Sequence, residues 1–287
     1  MVEHFVLTRF NLAINFECGK RSDSLVPTKE PWLDEEYLWK RFEVFEKYTV
    51  PSLKNQTDSE FKWIVMFHEK TPEKYIKRIE KLMSEMRQFY PIFLSDIECN
   101  NIGETITRII EKMNCSNRAV ITTRIDNDDA VHVSFIQRIK ENCFGAENNT
   151  VISFVNGIQY QIKTREILNY HYVNNHFLSL YVRGGREHIM LYNHAFIDTN
   201  ENIILKKVES DIPLWVEIIT TNNYSNAMRW RLNNVFVDYR LLHEYSQLEL
   251  KWNNRYEHLW CEFLGFFKVF WYRGKGALKL IFKYFSE

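Results

Sequence analysis

The sequence predicts an α/β protein with a mostly parallel central sheet and helices on its faces, followed by an amphipathic helical segment. Three observations predict it. Through the first half of the chain, apolar runs of strand length alternate with stretches of helical periodicity. A short β-branched run at 119–123 leads into the acidic cluster Arg124-Ile125-Asp126-Asn127-Asp128-Asp129. The last 40 or so residues turn aromatic and basic.

Residues 3–10 (EHFVLTRF) are apolar enough for a first strand and end in Thr8-Arg9-Phe10-Asn11, a polar group at the strand's C-terminal edge, where open α/β sheets bind ligands. A loop with Gly19, Pro27 and Pro31 covers 11–31. From Leu33 the pattern is helical, with Asp34 at the start and Leu38, Phe42, Phe45 and Tyr48 inward, until Pro51 stops or re-aims it. Residues 61–67 (FKWIVMF) form a second strand, and Thr71-Pro72-Glu73 opens a helix that carries Tyr75, Ile79, Leu82 and Met86 on one face. A short strand at 92–94, a helix at 103–113 and a fourth strand at 119–123 complete the alternation, which implies parallel strands joined by crossovers. A further helix is expected over 131–143, with Val133, Ile136 and Ile139 inward. Asn156-Gly157 between the apolar runs 151–154 and 158–162 predicts a hairpin. Residues 177–182 read as a strand, Arg183-Gly184-Gly185-Arg186 as an exposed turn, 215–219 as a strand or short helix, and 221–226 as an Asn-rich loop.

The chain has 287 residues, with 37 basic and 37 acidic side chains, a balance that argues against a nucleic-acid binder. Its five cysteines are scattered and show no metal-ligand spacing, so a disulfide framework or zinc site is not expected and a reducing cytosol fits. The N-terminus lacks a basic signal region, and no uncharged apolar run of about 18 residues is present to span a bilayer. We divide the chain into an α/β unit, 1–247, and a basic aromatic tail, 248–287. Within the tail, 259–285 interleaves aromatic residues with Lys268, Arg273, Lys275, Lys279 and Lys283 against the single acid Glu262, and Gly274 and Gly276 mark a break. That composition suits helices lying in a membrane interface or, alternatively, a terminal pair packed on the protein. The expected location is cytoplasmic, with peripheral attachment to the inner face of the plasma membrane.

Three carboxylates just past a strand end repel one another, and a cation between them resolves that repulsion. Oxygen ligands point to Mg²⁺ or Mn²⁺ shared with a phosphate. The plainer alternative is a polar turn that caps the next helix. An EF-hand loop from Asp126 is excluded, because its sixth and twelfth positions are Val131 and Gln137. Neither a Gly-rich phosphate loop nor a Gly-x-Ser-x-Gly elbow occurs, which weakens dehydrogenase, ATPase and serine-hydrolase readings.

Several separated pieces, in order, resemble the bacterial rhamnosyltransferase family of the GT-A glycosyltransferase superfamily. They are Phe5-Val6-Leu7-Thr8-Arg9-Phe10-Asn11, Arg41-Phe42 with Phe45-Glu46, Val50-Pro51-Ser52-Leu53 with Gln56, and Phe61-Lys62-Trp63-Ile64-Val65. The match continues with residues 121–130 and, more loosely, with Asn175-His176-Phe177-Leu178-Ser179-Leu180. The resemblance implies a GT-A fold, a nucleotide-sugar donor (UDP-, GDP- or dTDP-linked) and a divalent metal, Mn²⁺ or Mg²⁺. By that analogy Thr8 and Arg9 contact the nucleotide, Asp126 faces the donor's ribose or phosphates, and Asp128 ligates the metal. Asp129 serves as a second ligand or supporting carboxylate, and His194 is a candidate late ligand. Arg124 pairs with the diphosphate or balances the aspartates. Two departures stand out: Phe67-His68 where an acidic residue is expected, and Thr220-Thr221 where a histidine is expected. An inverting transfer needs a carboxylate base, for which Asp211 is the first candidate, with Glu209 and Glu187 as alternatives, although Asp211 equally suits a helix cap.

The function expected is therefore metal-dependent sugar transfer from a nucleotide-sugar to a glycan or lipid-linked acceptor in surface polysaccharide synthesis. The competing readings are a nucleotidyl- or phosphosugar-transferase and a non-catalytic nucleotide-sugar-binding scaffold.

Overall fold

In the computed structural model, the described residues are 2–14, 30–114, 119–184, 186–220, 227–235, 237, 245, 247–249, 257 and 259–271. Most of the 11–31 loop, the Asn-rich 221–226 segment, and Gly274, Gly276 and the rest of the tail past 271 lie outside them.

Four parallel strands form one half of the main sheet: β1 (Glu3–Arg9), β2 (Lys62–His68), β3 (Phe89–Leu94) and β4 (Val120–Arg124), in the order β4-β1-β2-β3. Alternate residues of each strand serve opposite faces, as a period of two requires. Val6, Trp63, Val65 and Phe67 join one buried cluster with Leu38, Phe42, Tyr75, Ile79, Phe135 and Ile139 from the helices on that face. Phe5, Leu7, Ile64 and Met66 join another with Cys99, Ile106 and Ile110 from helices on the other face. The expected parallel α/β sheet with helices on both faces is the fold observed.

Helix α1 (Glu35–Val44) begins where expected, with Asp34 Oδ1 accepting from the Tyr37 N–H at 2.8 Å. Pro51 does not stop it. A π-helical turn over Phe45–Thr49 links α1 directly to α2 (Val50–Lys54), and Pro51 falls in the first turn of α2, where a missing N–H is tolerated. Helices α3 (Glu73–Glu85), α4 (Asp96–Asn100) and α5 (Ile102–Met113) follow. The helix expected over 131–143 is shorter, α6 (Phe135–Cys143), because Ala130–Val131 forms a short strand, β5.

The predicted hairpin is not formed. β6 (Thr150–Phe154) joins the main sheet, and β7 (Asn156–Gln161) joins a second sheet, so the chain changes sheets at Val155. β7 instead pairs with β8 (Glu166–His171), through a turn in which Arg165 has φ 54°. Tertiary packing explains the override. Gly157 lies in β7 under the indole of Trp215, where a Cβ would come within 2.1 Å of the ring. Its lack of a side chain serves close approach rather than a turn.

β9 (Ser179–Val182) inserts antiparallel between β4 and β6, and β10 (Ile204–Val208) pairs parallel with β6 at the sheet edge. Residues 215–219 are a strand, β11 (Trp215–Ile219), which lies between β5 and β7. The main sheet is therefore β10-β6-β9-β4-β1-β2-β3, and the second is β5-β11-β7-β8. The core of the second sheet takes in Val237, Tyr245 and Leu248 from beyond β11. No described helix is long and apolar enough to cross a membrane.

Candidate active site

The acidic loop sits at the C-terminal edge of β4, beside the end of β1. It is held there by hydrogen bonds from the residues around it. The Ile125 N–H donates to Leu7 O at 3.2 Å, and Thr8 Oγ1 donates to Ile125 O at 2.8 Å. Asn127 Nδ2 donates to Arg9 O and Phe10 O, at 2.9 and 3.0 Å, which joins the loop to the end of β1. Asp129 N closes the turn on Asp126 O at 3.3 Å. Backbone placement by several buried hydrogen bonds is what a preorganised ligand set requires.

The three aspartates have different partners. Asp126 accepts two hydrogen bonds from Arg124, 3.1 Å from Nε and 2.9 Å from Nη2. Burial by itself would raise its pKa, but the Arg124 guanidinium holds it well below the usual carboxylate range. Asp128 turns the other way and pairs with Arg41 of α1 at 2.7 Å, while Arg41 also donates to Asn127 Oδ1 at 2.9 Å. Asp129 is buried and accepts from the Ile218 N–H of β11 at 2.8 Å and from His176 Nε2 at 2.7 Å.

His176 completes the cluster. One ligand atom each from Asp126, Asp129 and His176 lies within 4.8 Å of the others. The imidazole is positioned by its neighbours. Asn175, fully buried, uses its Nδ2 on Ser153 Oγ, Phe154 O and Tyr172 O and its Oδ1 on the Phe177 N–H, which fixes the turn that presents His176. Phe177 stacks between the His176 ring, 4.4 Å away, and the Trp215 indole, 5.0 Å away. Burial would lower the His176 pKa, yet the Asp129 carboxylate raises it, while burial raises that of Asp129, so the two groups share a proton across their 2.7 Å contact.

Two arginines border the cluster. Arg124 is anchored by Asp126. The Arg9 guanidinium has no hydrogen-bond partner among the described residues, and burial followed by the charge of Arg124 lowers its pKa. A half-buried guanidinium held beside another is a site that favours an anion.

Of the residues expected from sequence, the structure brings Arg9, Arg124, Asp126 and Asp129 together. Thr8 is adjacent, but its hydroxyl is fully buried and committed, donating to Ile125 O and accepting from Trp63 Nε1 at 2.9 Å, so it positions the loop rather than meeting a ligand. Asp128 lies outside the cluster because Arg41 holds it. His194 lies outside as well: its ring centre is 5.9 Å from that of His176, and its Nδ1 is 3.3 Å from Arg124 Nη1. Burial and the Arg124 charge lower its pKa to about 4. Asp211 and Glu209 are exposed just past β10, and Glu209 pairs with exposed His171 at 3.1 Å. β10 is three strands from β4, about 14 Å at ordinary strand spacing. Glu187 accepts from Tyr192 Oη and is likewise not in the cluster. At the first departure noted in the sequence, His68 Nε2 meets Asp96 Oδ1 at 3.0 Å, so α4 brings a carboxylate to the end of β2.

Sequence reasoning missed His176 and Arg41. Both lie in pieces that carried the family resemblance, but a lone histidine before an apolar strand has no spacing signal. Its partner Asp129 is 47 residues away.

The mostly parallel α/β sheet places carboxylates, an imidazole and two arginines together at its C-terminal edge, the edge where open α/β sheets bind ligands. The family model described as "Putative rhamnosyl transferase" matches residues 3–232. The chain belongs to that family, a family of glycosyltransferases.

No curated protein matches the chain. Solved structures with some similarity include S. aureus TarS 1-349, at 10% identity and a TM-score of 0.39 over 75% of this chain and 60% of that one. The same protein in complex with UDP matches at 12% identity and 0.38, over 76% and 60%. Mouse xyloside xylosyltransferase 1 matches at 9% and 0.31, over 54% of this chain and 53% of that chain. The chain thus spans about 60% of the TarS 1-349 structures.

Proposed function

We propose that this glycosyltransferase moves a sugar from a nucleoside-diphosphate sugar to a glycan or lipid-linked acceptor in surface polysaccharide synthesis, with Mn²⁺ or Mg²⁺ held by Asp126, Asp129 and His176. The observation that carries the reading is the meeting, at one sheet edge, of this two-carboxylate, one-imidazole set with Arg9 and Arg124. The donor set fits a divalent cation, and the imidazole favours Mn²⁺ over Mg²⁺. A bound cation would neutralise the diphosphate as it departs from the sugar.

The chain's own residues supply the rest. Arg9, whose guanidinium has no described hydrogen-bond partner, binds the phosphate oxygens. Arg124 orients Asp126 by its two-point contact. Ile218 N–H holds Asp129, and Phe177 holds the plane of His176, so ligand geometry is set before the donor arrives. Cation binding requires His176 to release the proton it shares with Asp129.

Calorimetric titration of UDP, GDP and dTDP, each with and without Mn²⁺, tests the proposal. The expected result is metal-dependent binding of one of them; metal-independent binding, or none, removes the reading. Product analysis separates it from nucleotidyl transfer. Release of a nucleoside diphosphate supports sugar transfer, and release of pyrophosphate or a nucleoside monophosphate overturns it.

A further inference from the structure

The helix over 259–271 is amphipathic in the reverse sense of an ordinary surface helix. Among the described residues, its contacts with the protein come from polar and small residues and from Val269. Glu262 Oε1 accepts from the Val237 N–H at 2.8 Å, Lys268 pairs with Glu166, and its ammonium lies 5.2 Å from the Trp230 ring centre. A Cβ on Gly265 would come within 2.9 Å of Val235, and Val269 is fully buried against the same patch. At 3.6 residues per turn these four positions share one side, and Trp260, Phe263, Leu264, Phe266, Phe267 and Phe270 fill an arc of about 160° on the other.

That outer face is large and open. Its members range from 36% exposed at Phe266 to 60% at Trp260. The five rings touch one another, with centres 5.5 Å apart for Trp260–Phe263, 5.0 Å for both Phe263–Phe267 and Phe266–Phe270, and 5.9 Å for Phe266–Phe267, so they form one continuous patch. A contiguous aromatic face of this kind needs an apolar partner. The sequence names its chemistry: residues 272–286, directly after the helix, carry Arg273, Lys275, Lys279 and Lys283 and no acid. Aromatic rings followed by a run of basic residues match an acyl boundary overlaid by anionic headgroups.

We infer that the 259–271 helix is a membrane-surface anchor for anionic lipid, fastened to the second sheet by Glu262, Gly265, Lys268 and Val269 and seated in the bilayer interface by its aromatic face. The inference is independent of the donor and of the metal. Docking on the protein and binding to lipid, alternatives when read from composition, are assigned to opposite sides of one helix.

The test uses the full chain with vesicles of phosphatidylcholine alone and of phosphatidylcholine with about one third phosphatidylglycerol. Binding should be confined to the anionic vesicles and weaken as salt is raised. A Phe263→Ser/Phe267→Ser/Phe270→Ser variant should bind at least about tenfold more weakly. As a check that does not rely on this variant, brominated acyl chains should quench the fluorescence of the unmodified chain more than that of Trp260→Phe. Absence of vesicle binding, an unchanged affinity in the triple variant, or equal quenching overturns the inference. So does a dimer that the triple variant dissolves while vesicles bind neither protein, which would assign the face to a second copy of the chain.

Discussion

Replacing Asp129 by Asn separates the structural role of the cluster from its ligand role. The carboxylate is 1% exposed by residue and accepts two hydrogen bonds, 2.8 Å from the Ile218 N–H and 2.7 Å from His176 Nε2. Asn keeps an acceptor for Ile218 but loses the carboxylate that shares a proton with His176. A charge-assisted hydrogen bond contributes about 1.5–3 kcal/mol, so Asp129→Asn should destabilise by that amount. For a chain of this size each kcal/mol moves the melting temperature by about 2–4 °C, which gives a fall of roughly 3–12 °C. The ligand role is read in the same thermal melt. Mn²⁺ at about 100 times its dissociation constant stabilises the protein that binds it by about 2.7 kcal/mol, and Asp129→Asn should lose that gain. Asp126→Asn should lose it too at a smaller cost in stability, since the Asp126 side chain is 31% exposed. Asp128→Asn and His194→Ala should keep most of it, because neither side chain belongs to the cluster. If Asp129→Asn retains the full Mn²⁺-induced rise, the cation does not sit on this carboxylate.

Three further outcomes are expected. Asp211→Asn and Glu209→Gln, at exposed positions past the sheet-edge strand β10, should leave donor turnover within a few-fold of the unmodified enzyme; the loss of about 10²–10⁴ expected for a removed general base would restore them as candidates. Gly157→Ala places a methyl group within about 2.1–2.3 Å of an indole that is itself stacked on Phe177, and overpacking of that kind costs about 1–3 kcal/mol or more in chemical denaturation. An unchanged midpoint would mean that β7 and Trp215 separate easily. His4 is buried, and burial followed by the nearby Lys140 charge lowers its pKa from 6.5 to about 3. The unfolded chain therefore binds the extra proton first, and stability should be lost as pH falls from about 6.5 toward 3, by up to several kcal/mol. His4→Gln should flatten that acid limb in denaturant midpoints measured between these pH values, and an unaltered slope would assign the limb to other groups.

The first half of the fold was legible because its signals are local. β1, β2 and β4 are apolar runs with defined ends, α3 follows Pro72, and α1 follows Asp34, whose carboxylate caps it. β8 and β10 escaped detection. β10 is an edge strand with two lysines and mostly exposed side chains, so it has little apolar pattern to read. At Val155 the local turn signal of Asn156-Gly157 was real but was overruled by Trp215, 58 residues later, which packs over the glycine.

By itself the sequence determined a parallel α/β sheet, an acidic loop at the end of its fourth strand, an arginine at the end of its first, and membership of a glycosyltransferase family. These follow from side-chain period, strand ends and short motifs, all written within a few residues. Only the tertiary structure decided which groups meet. Arg41 reaches Asp128 across 87 positions, Ile218 reaches Asp129 across 89, and the Asn175 turn brings His176 to the same carboxylate. Such meetings depend on which strands become neighbours and how their side chains pack, and no local pattern of residue types records that.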